Sequence, residues 1–538
     1  MRALDPTPWL IAMAVAGLAG CATSSLDLAP PAPDRPWQPQ TNAAGDIVPG
    51  PPHTSPSSPS SPSSTSSTSS PSSASTAAAH PGYTLPNSAG LASIEPAAPL
   101  DANHAYTLPE LIDLAESTNP QTRIAWNDAR NAALATGIAK AAYLPQLTAT
   151  AMGGYQAASG SQSTLLGNVS TGGDIHGTVS VLALQWLLFD FGGRRARVDA
   201  ATRLSVAANV AFTAVHQRVI HDVSIAYYAY EAASARARTA QQALDNADGI
   251  LAAAQARLKH GVGTVVEVAQ ATQNRAQANL AQVQANGAQS NSYLNLVSAL
   301  GISPLSKPAI APLPPRALSP ALHQPVDEIV TDAIARRPDV QGAYALEQAN
   351  QAKIRAAEAS FMPKVFLSAT AAYGTGSTAI TAIPPVGDQA ATVNLSGSRR
   401  SGAVFLGVTI PLYDGGLRSA VLMQARNDAD SASAQLTRTK QEAVRQIVVA
   451  QNTLATSLAS NDAARALVEA AQTTYDAALT AYRHGVGSIT DALLAQNQLI
   501  AAQDAYADSY SAALSAAASL ALATGEIGAR PPDGETAW

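Results

Sequence analysis

The chain repeats one pattern twice. Asn119-Pro120, Tyr143-Leu144-Pro145 and Tyr155 return as Arg337-Pro338, Phe361-Met362-Pro363 and Tyr373, each 218 positions later. Asp190, Gly192 and Arg194 return as Asp414, Gly416 and Arg418, and Gly261-Val262-Gly263-Thr264 returns as Gly485-Val486-Gly487-Ser488, each 224 positions later. Two copies this long do not make a solenoid. They predict a pseudo-symmetric module whose halves lie side by side, and a closed ring once protomers assemble.

Within each copy the order is helix, strand, long loop, strand, very long helix, tight turn, helix. Leu108, Leu111, Ile112 and Ala115 carry helical spacing, which predicts a helix over Leu108–Ala142, ended by Pro145. Strands are expected at Gln146–Tyr155, Gly177–Phe189, Lys364–Tyr373 and Ala403–Leu412. In the last, Val404, Leu406, Val408, Ile410 and Leu412 share a face. Loops rich in Gly, Ser and Thr, at Gln156–His176 and Gly374–Gly402, separate each pair. The stretch Gly193–Lys259 lacks proline, and Gly416–His484 lacks both proline and glycine in its interior. A continuous helix of either length spans roughly 100 Å, more than a compact domain. Only 5% of residues are aromatic and 13% charged, and alanine carries much of the apolar 46%. That composition suits long helices packed flank to flank rather than a large aromatic core.

No apolar run beyond the N-terminus reaches the roughly 20 residues of a membrane helix, so any bilayer crossing falls to strands. Four strands cannot close a barrel, and open edges in lipid leave backbone groups unsatisfied. A membrane reading therefore requires edges closed by further protomers.

The N-terminus points to the same compartment. Arg2, an apolar run from Trp9 to Ala19, and Leu18-Ala19-Gly20-Cys21 read as a lipoprotein signal over residues 1–20, with lipid expected on Cys21. The alternative is an ordinary signal peptide that contains a cysteine. Residues 21–104, almost pure Ser, Pro, Thr and Ala over Ser55–Ala79, are expected to form a disordered tether. A Pro-rich linker at 303–325 separates the copies at 105–302 and 326–526, and 527–538 form a tail.

Catalysis, nucleic-acid binding and metal binding find no support. The net charge of −6 comes with scattered basic residues, there is a single cysteine, and no phosphate loop or nucleophile elbow is present. No cofactor is expected beyond the covalent lipid. His260 and His484 correspond across the repeat, yet each follows a cation and reads as a solvated side chain rather than a ligand. Trp186, Phe189, Tyr373 and Phe405 fit either an interfacial aromatic girdle or packing where strands meet helices. Local physics explains the two Gly-Val-Gly turns as helix reversals, and Glu267 and Asp491 as first-turn acids favoured by the helix dipole.

The lipobox, the helix-Pro-strand segments ending at Pro145 and Pro363, Leu188-Phe189-Asp190-Phe191-Gly192-Gly193-Arg194, Leu412-Tyr413-Asp414-Gly415-Gly416 and the run Gly485 to Gln496 together resemble the TolC outer membrane factor family, its lipidated OprM- and NodT-type branch in particular. The resemblance spans roughly Tyr106 to Gly525. It implies a mainly α fold with a small membrane β-barrel: a homotrimer, each protomer giving four strands to a twelve-stranded barrel that continues into a periplasmic α-helical barrel, with the linker in an equatorial belt. It implies a passive exit duct in the outer membrane, working with a periplasmic adaptor protein and an inner-membrane transporter of RND, MFS or ABC type. Val262, Gly263, Thr264, Val486, Gly487 and Ser488 take the positions of adaptor-docking tips. Glu267 and Asp491 take those of gate or lumen acids, and Leu494 stands where some relatives carry a second acid. The duct of type I protein secretion and a non-conducting coiled-coil lipoprotein are the alternatives; a coiled-coil spacer has no use for amphipathic strands.

Overall fold

The computed structural model describes residues 104–164, 167–314, 326–376, 379–382, 393–396 and 400–528, with 40–41, 47–48, 100–101 and 318, and its side chains outside 40–41, 47–48, 155–177, 326–328 and 376–399. Cys21, its signal, nearly all of the tether and the tail from 529 onward lie outside the described residues. The chain divides into two units, residues 1–96 and 97–538. In the first, β1 (Gln40–Thr41) pairs antiparallel with β2 (Ile47–Val48).

The second unit holds both repeats. β3 (Ala105–Tyr106) precedes α1 (Leu108–Thr118) and α2 (Pro120–Ala141). The expected single helix over Leu108–Ala142 is thus two. Pro120 opens α2, and the residue before a proline avoids the helical region, so Asn119 is extended with ψ 124° and caps α2 by accepting from the Gln121 amide. The second copy breaks identically at Arg337-Pro338, between α5 (Val326–Arg336) and α6 (Pro338–Ala359). Different side chains secure the two breaks by one contact. Asn119 Nδ2 donates to the Ala299 carbonyl at 3.2 Å and Arg337 Nη1 to the Ala523 carbonyl at 2.7 Å, acceptors 224 positions apart.

β4 (Gln146–Thr164) and β5 (Gly167–Phe189) form one long antiparallel hairpin. The loop expected at Gln156–His176 is strand nearly throughout, because small, Ser/Thr-rich sequence leaves the ladder uninterrupted. The second expected loop contains its own pair, β8 (Ala379–Ala382) with β9 (Val393–Ser396). With β7 (Lys364–Gly376) and β10 (Arg400–Thr409) the main sheet has the order β10-β7-β5-β4, antiparallel throughout. β10 ends at Thr409, short of the expected Leu412, since Pro411 supplies no ladder donor. Val404, Leu406, Val408 and Ile410 are exposed on one face, and Phe366 lies over Gly407 with no room for a Cβ.

Each strand pair feeds a 67-residue helix, α3 (Gly193–Lys259) and α7 (Leu417–Arg483). The returning helices are α4 (Val265–Ala299) and α8 (Ile489–Thr524). The strand-to-helix corners repeat closely. Gly192 and Gly416 take left-handed φ of 92° and 91°, and the Asp190 and Asp414 carboxylates accept from the amides of Arg194 and Arg418. In the first corner buried Arg194 also donates to the carbonyls of Ala142, Leu187 and Leu188 and lies over the Tyr143 ring, tying α2, β5 and α3 together. Trp186 donates to the Tyr143 carbonyl at 2.9 Å, and Trp186, Phe189, Tyr373 and Phe405 are all exposed.

The described part of the linker following α4, up to residue 314, is strapped to the first repeat, and 315–317 and 319–325 lie outside the described residues. β6 (Ala309–Ile310) pairs parallel with β3, Tyr227 and Tyr293 donate to the carbonyls of Ala311 and Pro308, and the Leu313 amide reaches Glu231. Beneath it lies an apolar cluster centred on Leu111, Val219, Val223, Tyr227, Leu296 and Leu300.

Candidate functional site: the paired helical tips

At the far ends of α3 and α7 the chain reverses twice by the same geometry. His260 and His484 donate to the carbonyls four residues back, at 3.0 Å each. Gly261 and Gly485 then take φ of 75° and 79°, the left-handed conformation that ends a helix. The next two amides fold onto one carbonyl: Val262 and Gly263 donate to Arg257 O, and Val486 and Gly487 to Ala481 O. That approach leaves no side-chain space. A Cβ on Gly263 would lie 2.9 Å from Arg257 Cβ, and one on Gly487 2.9 Å from Ala481 Cβ. In each Gly-Val-Gly the first glycine supplies a backbone conformation and the second a close contact. The valine between them projects outward, Val262 66% and Val486 83% exposed.

Thr264 and Ser488 cap the returning helices by accepting from the amides of Glu267 and Asp491. Here the halves diverge. Asp491 turns back and accepts from the Ser488 hydroxyl at 2.7 Å, closing the cap on itself. Glu267 instead faces Arg257, whose Nε stands 3.6 Å from its carboxylate. That distance is an ion pair, too long for a hydrogen bond, and both atoms are buried without a hydrogen-bond partner. Arg257 also donates to the Tyr482 carbonyl at 3.3 Å and lies 5.2 Å from the centre of that ring, so it bridges the first tip to the second. The Tyr482 phenol is held above its ordinary pKa, first by burial and then by the Glu267 charge beside it.

Beneath the bridge the hairpins pack through Ile250, Ala254 and Ala271 of one against Tyr482, Ile489 and Ala492 of the other. One layer further, buried Asn274 donates to Gln496, which donates to the Ala243 carbonyl. The structure thus gathers Val262, Gly263, Thr264 and Glu267 with Val486, Gly487, Ser488 and Asp491 at one end of the helices. Arg257 and Tyr482 escape a reading based on repetition, because their counterparts are Ala481 and Leu258. The break in the repeat is itself the signal that could have found them. Among the described residues no group of acids, histidines or cysteines could hold a metal ion, and no helix is long and apolar enough to cross a membrane.

Residues 111–302 and 329–526 match the family profile described as outer membrane efflux protein. The chain is 30% identical to protein CyaE of Bordetella pertussis over 442 residues, covering 81% of this chain and 88% of that one. It is 26% identical to outer membrane protein OprJ of Pseudomonas aeruginosa, over 74% of this chain and 80% of that one. Among solved structures, a membrane protein from Pseudomonas aeruginosa superposes with a TM-score of 0.65 at 26% identity, covering 78% of this chain and 93% of that one. The outer membrane protein VceC of Vibrio cholerae, at 22% identity and a TM-score of 0.64, covers 78% of this chain and 96% of that one and shares the fold.

Proposed function

The chain belongs to the outer membrane efflux protein family, and from that premise we propose that it is the exit duct of a tripartite pump, exporting small toxic compounds. It is an outer-membrane efflux channel and not an enzyme. The observation that carries the duct is the joining of a four-stranded antiparallel sheet to helices of 67 residues. β7 and β10, with 13 and 10 residues, set the width of the four-stranded band, which suits a bilayer. The helices reach roughly 100 Å beyond it. Among the described residues β4 and β10 have no partner on their outer edges, and an open edge facing lipid is not viable. Three copies closing a twelve-stranded barrel answer that requirement.

In this reading the tips receive the helical hairpin of a periplasmic adaptor, an inner-membrane transporter supplies the energy, Glu267 and Asp491 belong to the gate, and lipid on Cys21 adds an anchor. Val262 and Val486 test the docking without touching the turn. Val262→Asp and Val486→Asp are expected to form normal trimer yet lose in vivo crosslinking to the adaptor; unchanged crosslinking removes the docking role. Cys21→Ser is expected to abolish palmitate incorporation. The experiment that decides between efflux and protein secretion is deletion of the gene. Hypersensitivity to toxic compounds with an unchanged secreted-protein profile supports the pump, and loss of a secreted protein without hypersensitivity overturns it. Mass measurement of the detergent-extracted protein checks the trimer, and a stable monomer rejects the shared barrel.

A further inference from the structure

A cleft of about 450 Å³ opens between α3 and α8, bordered by Leu313 of the linker and Val468 of α7. It lies away from the tips and plays no part in the turns described above. Glu231 of α3 forms part of its wall. Burial holds this carboxyl above the ordinary range, and the Leu313 amide, at 3.4 Å, is its one hydrogen-bond donor among the described contacts. No cation closes an ion pair with it among the described residues. Tyrosines line the same cleft: Tyr228 on the same helix, and Tyr506 and Tyr510 of α8, whose rings stack with centres 6.4 Å apart.

The duplicated architecture does not explain this chemistry. The counterparts of Tyr228 and Glu231 in the second repeat are Asn452 and Ala455, and those of Tyr506 and Tyr510 in the first are Gln282 and Asn286. The acid and its aromatic walls therefore occur once per chain. We propose that the cleft is a binding site for an organic monocation with an apolar body, the positive centre held by Glu231 and the tyrosine faces. A half-buried carboxylate beside aromatic rings is the arrangement that recognises alkylated or aromatic ammonium groups, and the volume falls in the range of small-molecule sites. Arg238 lines the same cleft two turns farther along α3, roughly 10 Å of helix rise beyond Glu231, and its charge draws the Glu231 carboxyl down against the effect of burial. It makes the cleft bipolar, so a second positive centre at that distance is repelled.

The test uses the intact detergent-solubilised protein and the monocation ethidium, read by fluorescence polarisation, so it is independent of whether the duct exports anything. Saturable binding is expected, displaced by tetraphenylphosphonium and not by the anion 8-anilinonaphthalene-1-sulfonate or by a bis-quaternary ammonium with charges about 10 Å apart. Glu231→Gln and Tyr506→Ala should each weaken binding by about tenfold or more, while Arg238→Gln should admit the dication. Equal ethidium affinity in either variant that retains its helical circular dichroism overturns the proposal. So does displacement by the anion as readily as by the monocation in the wild-type protein, a comparison that needs no variant to fold.

Discussion

The two tips share a backbone and differ in what their side chains hold. Both place two amides on one carbonyl, and both exclude a Cβ at the second glycine. Yet Asp491 closes its own cap, whereas Glu267 is turned toward Arg257 and through it toward Tyr482 of the other half. Duplication has preserved what reverses the chain and released what surrounds the reversal. The turn is architecture; the clasp is an acquisition of one half.

The largest test of this contrast attacks what the halves share. Gly263→Asp and Gly487→Asp force atoms into space occupied by backbone, a clash of about 1–3 kcal/mol or more. Both should lower the yield of heat-resistant trimer to a similar degree, and normal yield of either shows that the turn tolerates a side chain. Next in size is the clasp. Arg257→Ala leaves the Glu267 carboxylate without its partner, a cost of about 1–3 kcal/mol, and frees the second tip. Single-channel conductance in a planar bilayer should rise severalfold, and by more than in Asp491→Asn, whose amide oxygen still accepts from the Ser488 hydroxyl and so keeps the cap while removing one gate charge. Equal conductance of the Arg257→Ala variant and the parent removes the clasp from the gate.

A smaller difference is expected between the caps. Ser488→Ala removes both the amide acceptor and the hydroxyl that holds Asp491, and Thr264→Ala only the first. Each should cost about 0.5–2 kcal/mol, with Ser488→Ala the larger, measured by thermal melting of the two variants side by side. The smallest effect concerns a charge inverted between the halves. Glu442, whose counterpart is Arg218, is lowered from 4.5 to about 2, first by its hydrogen bond from Arg445 and then by that from Gln446. Its folded pKa is depressed, so the contribution is present above the ordinary value of 4.5 and is lost as pH falls through about 2. Glu442→Gln should lower the melting temperature slightly at pH 7, and the gap to the parent should close toward pH 2. A gap that persists there shows that the pair acts through packing rather than charge.

The sequence displays whatever both copies preserve. Gly192 with Gly416, Asp190 with Asp414 and the two Gly-Val-Gly turns mark the corners, and the long proline-free runs mark α3 and α7. The break at Asn119 reads as continuous helix in the sequence, because apolar spacing persists across it while the restriction imposed by Pro120 acts on a single residue. Only the outer part of the β4–β5 hairpin, Gln156–His176, reads as a loop in the sequence, because small polar residues carry no alternation even where the backbone pairs. At the tips every residue with a counterpart was visible. The bridge from Arg257 to Tyr482 was not, since it joins side chains 225 positions apart whose partners in the repeat are alanine and leucine.

That unevenness changes how a partner counts the tips. In the proposed trimer there are six reversals with one backbone geometry, so a protein that reads only the turn meets a sixfold ring of equal seats. The arginine stands beneath alternate seats, and a protein that reads charge meets three of one kind and three of another. Three catches then fasten six leaves, and a ring of six identical subunits arriving at this end must work two classes of contact in alternation.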